Sequence, residues 1–234
     1  MLFLLLFLSY FQITASQNAS TVLEKSIAYH DPAGQWGQGP MYLKIESQNP
    51  KGASSVREAW IDIPAESFRM RATRGKTVSE QSMLKAECRF QLHGSSEIPQ
   101  DSLDKYRLTC ERTLMFRDYL TYLNGLPMKL ADPGTVLDPE VKETRYMGQE
   151  VLAITVRYEP EVGDEIYDFY FDPETYALRG YRFYRDERSP KGEYILLAKE
   201  TMVGKMKIPR EREWYTFPDT SYLGKDILLE GKFE

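Results

Sequence analysis

The sequence predicts a mostly β fold of the α+β class: a strongly curved antiparallel sheet, or half-barrel, with a short N-terminal helix and one central helix over its concave face. Three observations predict it. Short apolar–polar stretches divided by turn residues recur from Trp36 onward, the pattern of antiparallel hairpins with one buried face. Residues 20–30 carry helical spacing behind a capping signal. Asp101 to Asn124 is a longer helical candidate with apolar residues on two sides.

The elements follow in order. Residues 1 to about 15 form an apolar run, short of the roughly 20 residues a membrane-spanning helix needs. Small polar residues follow it, so it reads as a secretory signal with cleavage near residues 15–19. A membrane-anchoring N-terminus is the alternative, because no Lys or Arg precedes the run. Residues 16–234 are then expected to form a single domain of the size one all-β unit reaches. No second long apolar stretch occurs, so no transmembrane span is expected in the mature chain.

Thr21 and Glu24 match a capping box for the first helix. Leu23, Ile27 and His30 share one of its faces, and Pro32 and Gly34 end it. Strands are expected at residues 41–47, 57–63, 67–73 and 83–93, with turns at residues 49–52 and 74–76. Phe68, Met70 and Ala72 share a strand face. In the central helix, Leu103, Tyr106, Cys110 and Leu114 lie on one side, and Leu108, Met115, Tyr119, Tyr122 and Leu123 roughly opposite. Such a helix is either deeply buried or broken near residues 109–112. Gly125 and Pro127 end it, an extended segment with Leu126, Met128 and Leu130 follows, and Asp132-Pro-Gly134 turns the chain. The remainder reads as consecutive strands. Leu152, Ile154, Val156 and Tyr158 share one face, Tyr167, Phe169 and Phe171 another, and Gly204 marks a break late in the run.

Composition narrows the function classes. The net charge is −5, which lacks the basic footprint of a nucleic-acid binder and disfavours attachment to an anionic membrane surface. A nucleophile elbow, a P-loop, a zincin motif, an EF-hand loop and a dinucleotide fingerprint are absent. His30 and His93 are the only histidines, so no metal site and no cofactor are expected. Cys88 and Cys110, an even pair in an exported chain, fit a disulfide, with two buried free thiols as the alternative. His30 and Asp31 form a candidate polar site with the carboxylate Asp132, although a packed histidine is the more economical reading. Trp36, Trp60, Met83, Met115, Tyr119, Tyr122, Leu126, Met128, Tyr167 and Phe169 are candidates to line an apolar cavity under the covering helix, where Met and aromatic side chains adapt to irregular ligands. An ordinary core is the competing reading for each.

Ala28-Tyr-His-Asp-Pro-Ala-Gly-Gln-Trp36, the stretch Tyr119 to Thr135, Phe169-Tyr-Phe-Asp-Pro173, Gly180-Tyr-Arg-Phe183 and Gly192-Glu-Tyr-Ile-Leu-Leu197 together resemble an uncharacterised family of exported bacterial proteins. Its architecture looks like that of the periplasmic lipoprotein carriers LolA and LolB, a curved antiparallel sheet closed by helices over an apolar cavity. The resemblance implies an acyl-chain, lipid or lipoprotein ligand and a periplasmic or outer-membrane-associated location. It transfers no individual binding residue. The expected protein is thus an exported, monomeric, non-enzymatic binder. The alternatives are a hydrolase built on His30 and Asp31, and a structural or interaction protein of the envelope.

Overall fold

The computed structural model describes residues 17–52, 54–188 and 191–233; the expected signal segment lies outside them. Its strands are Met41–Gln48 (β1), Ser54–Asp62 (β2), Ser67–Arg74 (β3), Thr77–Leu84 (β4), Glu87–Leu92 (β5), Thr135–Tyr146 (β6), Gln149–Tyr158 (β7), Ile166–Phe171 (β8), Leu178–Tyr184 (β9), Gly192–Val203 (β10), Met206–Phe217 (β11) and Tyr222–Phe233 (β12). Its helices are Ala19–His30 (α1), Gln100–Tyr106 (α2) and Cys110–Gly125 (α3), with a 3-10 turn at Met128–Ala131.

The strands make one open, curved, antiparallel sheet in the order β5-β4-β3-β2-β1-β12-β11-β10-β9-β8-β7-β6. Nearly every neighbour is a sequence-adjacent hairpin. The exception is β1 against β12, from Met41 opposite Phe233 to Gln48 opposite Lys225. That pairing joins an N-terminal five-strand meander to a C-terminal seven-strand one.

Alternation along the strands sorts side chains to two faces. Met41, Leu43 and Ile45, Ala59 and Ile61, and Phe68 and Met70 point to the concave face and pack with Phe116 and Leu120 of α3. Ile154, Val156, Phe169, Phe171, Tyr181 and Ile195 do the same in the second meander, under α1 and the end of α3. Val22 and Leu23 of α1 are buried there. The cap of α1 is Asn18, whose side chain accepts the Thr21 N–H at 2.8 Å. Thr21 therefore lies inside the first turn, and the cap sits three residues upstream of the expected one.

The central helix takes the broken form of the two expected: Arg107 adopts a left-handed conformation that ends α2, and Thr109 caps α3. Two other expectations are corrected. Residues 83–93 are not one strand: β4 ends at Leu84, Lys85 adopts a positive φ of 54°, and β5 begins at Glu87. The segment after Leu126 is not extended but coils into the 3-10 turn, which buries Met128 and Leu130. Gly204 does break the late run, between β10 and β11, whereas Pro209 lies inside β11 opposite Glu200.

Candidate functional site

The concave face is covered along its middle by α3. Thr113, Phe116, Leu120 and Leu123 point down onto the sheet and are buried. Their spacing keeps them on one helix face. Neither predicted apolar side contains Phe116 or Leu120; Leu114 and Met115 are instead exposed. Two of the connections that hold α3 lie at its ends. At its start, a disulfide joins Cys110 to Cys88 of the edge strand β5. At its end, the buried Arg212 donates from Nη2 to the Leu123 carbonyl at 2.9 Å. Burial pushes that guanidinium's pKa down, while Tyr181, Asp226 and Tyr119 act the other way.

Tight packing follows α3. A Cβ on Gly125 would run into the Trp36 ring and the Lys129 side chain, so glycine here is a requirement of close approach. Trp36 is held by its own N–H donating to Asp31 Oδ2 at 2.8 Å. Leu126 and Met128 complete this closed region and are 3% and 6% exposed.

The flanks of α3 are open. On the β6–β8 side lies a groove of about 490 Å³ walled by Tyr119, Tyr122, Tyr158, Tyr167 and Val162. The Tyr122 and Tyr158 hydroxyls meet at 2.8 Å, and the Tyr167 ring packs edge-on to Tyr158 at 5.6 Å. Burial, then the neighbouring tyrosines, push the Tyr122 phenol far up. Burial pushes Tyr158 up to about 12, against the hydrogen bond from Tyr122. These phenols are neutral at physiological pH and present amphipathic walls. At the mouth, Asp132 pairs with Lys129.

On the opposite flank a groove of about 810 Å³ runs along β1, β2 and β10–β12, lined by Arg57, Tyr119, Glu193, Trp214, Leu223 and Asp226. Arg57 stands 3.9 Å from Asp226, and burial raises the Glu193 carboxyl. This end of the concave face is polar, unlike the closed apolar end under α1. Tyr119 lines both grooves and so stands between them.

The sequence-predicted residues therefore separate. Tyr119, Tyr122 and Tyr167 reach open grooves, while Trp36, Leu126, Met128 and Phe169 lie in closed packing. Met83 is buried, with its sulfur accepting from Arg117 at 3.8 Å. Met115 faces out beside Arg112. Trp60 lies away from both grooves: it alternates with the inward Ala59 and Ile61, and it packs with Tyr42 on the convex face beneath the Arg69 guanidinium. His30 has both ring nitrogens engaged by backbone, Nδ1 with the Lys207 carbonyl at 2.6 Å and Nε2 with the Leu178 N–H at 2.9 Å. Asp31 caps the turn after α1 by accepting the Gln35 and Trp36 N–H groups. Neither lines the groove that Asp132 borders. His30 thus ties α1 to the sheet, Asp31 closes the turn after it, and neither meets Asp132 in one cleft. Among the described residues no cluster of His, Cys, Asp and Glu suited to a metal ion occurs, and no helix is long and apolar enough to cross a membrane.

Solved structures share this architecture. A LolA superfamily protein from Nitrosomonas europaea superposes with a TM-score of 0.53 at 11% identity, covering 93% of this chain and 94% of that one. A DUF1329 family protein from Desulfovibrio piger gives 0.52 at 6% identity, with 94% of each chain covered. A domain from Vibrio parahaemolyticus described as outer membrane lipoprotein-sorting gives 0.50 at 10% identity, covering 92% and 91%. At these identities the likeness establishes a LolA-like fold. Among curated proteins none matches the sequence. A family's sequence model matches residues 1–231, and the chain belongs to that family, DUF6503, a family of unknown function.

Proposed function

We propose that this chain is an exported, non-enzymatic binding protein of the cell envelope that holds an acyl chain, of a lipid or a lipoprotein, between α3 and the concave face. One observation carries the reading: α3 lies over a floor that it does not fill, leaving an open groove on each flank with Tyr119 between them. The underside of α3 and the sheet beneath it are apolar, so a shift of this helix would enlarge an apolar site already framed by aromatic walls. Binding of that kind is driven by apolar area removed from water, about 25 cal/mol per Å². The relatives described as LolA superfamily and lipoprotein-sorting point to the same ligand class. An apolar run at residues 1–15 supplies the export signal under this reading.

The test is uptake of a dansylated fatty acid by delipidated full-length protein, read as a blue-shifted emission. Wild type is expected to take it up. Tyr122→Asp, which puts a charge in the groove wall, is expected to weaken uptake about tenfold. Trp60→Ala on the convex face is expected to leave it unchanged. No uptake by wild type, or equal uptake by Tyr122→Asp, would overturn the proposal.

A further inference from the structure

A third cavity, of about 310 Å³, lies where α2 meets α3 above the ends of β2, β3 and β4. Arg57, Arg74, Lys105, Arg107 and Arg112 all line it. These cations come from β2, the end of β3, α2, the α2–α3 junction and the first turn of α3, so it is the fold that gathers them. No carboxylate lines the cavity. Arg57 is the only one of the five with an ion pair among the described residues, and its Asp226 partner is at the long distance of 3.9 Å. Arg112 instead lies over the Phe116 ring and touches the Met115 sulfur. Asp104 and Glu111 line a separate depression that Arg107 and Arg112 also border, and no ion pair joins them to these arginines among the described residues.

Burial, followed by the fields of Arg107, Arg74 and Arg57, pushes the Arg112 pKa down. Three guanidiniums thus act on the fourth. Five cations whose ion-paired counter-charge is a single carboxylate 3.9 Å from Arg57 repel one another. An anion seated among them relieves that repulsion and gains their hydrogen bonds as well. Arginine presents a planar fork that matches the oxygens of a phosphoryl group two at a time. The multiple charge and three acceptor oxygens of that group suit several forks better than a single carboxylate does. Met70, Ala72, Leu108 and Phe116 supply an apolar floor, and the cavity meets the larger groove across Arg57 and Arg74, which line both.

We propose that this cavity is a binding site for a phosphoryl group. Its two sources are a phospholipid headgroup and free phosphate. The site is separate from the Tyr-walled groove, and the proposal does not depend on acyl-chain binding.

Isothermal titration of the full-length protein at fixed ionic strength tests it. The probes are inorganic phosphate, dioctanoyl phosphatidylglycerol below its micelle concentration, and dioctanoylglycerol, which lacks the phosphate. Arg74→Gln and Arg107→Gln remove exposed side chains with no ion pair among the described residues, so both variants are expected to fold. Each is expected to weaken phosphoryl binding about tenfold. Arg145→Gln, in the distant β6–β7 hairpin, removes the same charge and is expected to change nothing. Binding of the phospholipid alone assigns a headgroup; binding of phosphate alone assigns the free anion; competition between them assigns both to one site. Each of these results, lost in the two variants, supports the proposal. Silence from both phosphoryl probes, binding left intact in the two variants, an equal loss in Arg145→Gln, or equal binding of dioctanoylglycerol overturns it. Dansylated fatty-acid uptake retained by Arg107→Gln, which lines neither flank groove, separates this site from the acyl groove.

Discussion

His30 shows how one side chain can look functional in sequence and prove architectural in three dimensions. Its position at the end of α1 was legible, and so was its burial beside Leu23 and Ile27. Its partners were not, because Lys207 and Leu178 are 177 and 148 residues away. Donation from Nδ1 to a carbonyl while Nε2 accepts an N–H requires the neutral ring. Burial is the largest influence and holds the pKa below its usual 6.5. The unfolded chain therefore binds a proton at a pH where the folded chain still resists it. Stability is full above about 6.5 and falls as pH drops toward the lower folded value, by at most about 1.4 kcal/mol per pH unit from this group. Thermal melts of wild type and His30→Gln at pH 7.5 and 5.5 check this. Wild type is expected to lose more stability between the two than the variant; equal losses would show that His30 does not contribute. Trp60 teaches a different lesson. Both faces of β2 carry apolar groups, so alternation alone did not say which face was concave until the register with Tyr42 and Arg69 was known.

At the level of elements, hairpins announced by Asn, Pro or Gly were readable, and those closed by other residues were not. Lys85 and Arg107 each take a positive φ that glycine usually supplies. The β4–β5 turn went unread at Lys85, whereas the α2–α3 break at Arg107 lies just ahead of the 109–112 break that the two-sided apolar pattern offered. The underside of α3 was present in the spacing of Phe116, Leu120 and Leu123, but Leu114, Met115 and Tyr119 obscured it by offering other apolar faces. Helix α3 also depends on a covalent link to an edge strand. Cys88 and Cys110 are 22 residues apart, and closing a loop of that length restricts the unfolded chain by about 3 kcal/mol. Cys110 is exposed, so reductant reaches the bond. Cys88→Ser with Cys110→Ser is expected to lower the melting temperature, as is dithiothreitol on wild type, while dithiothreitol leaves the double variant unmoved. Unchanged melting in the double variant would mean that the bond does not constrain α3.

For the whole molecule, the hairpin rhythm made the sheet legible, but its central seam was not, because β1 and β12 are the two strands farthest apart in sequence and no local signal pairs them. The candidate site shares that difficulty. Tyr119, Tyr122 and Tyr167 stood out as aromatic, whereas the five cations above β2–β4 come from separate places and meet only when the meanders and helices assemble. The seam raises the question of whether the two meanders unfold separately. They do not have separate cores. Phe116 and Leu120 of α3 belong to the cluster over β1–β3, and Leu123, one turn on, belongs to the cluster over β7–β10. Ile27 of α1 touches both. Losing either cluster strips apolar cover from the same two helices, which couples the halves. One transition is therefore expected in denaturant, with far-ultraviolet circular dichroism and tryptophan fluorescence coinciding. Leu120 is fully buried, so Leu120→Ala is expected to cost about 2–5 kcal/mol and to move both signals together. If Leu120→Ala, made in a Trp214→Phe background so that Trp36 and Trp60 report on the N-terminal half alone, instead split the transition with fluorescence changing first, the seam between β1 and β12 would be a boundary between two folding units, and α3 a cover resting on both rather than the element that joins them.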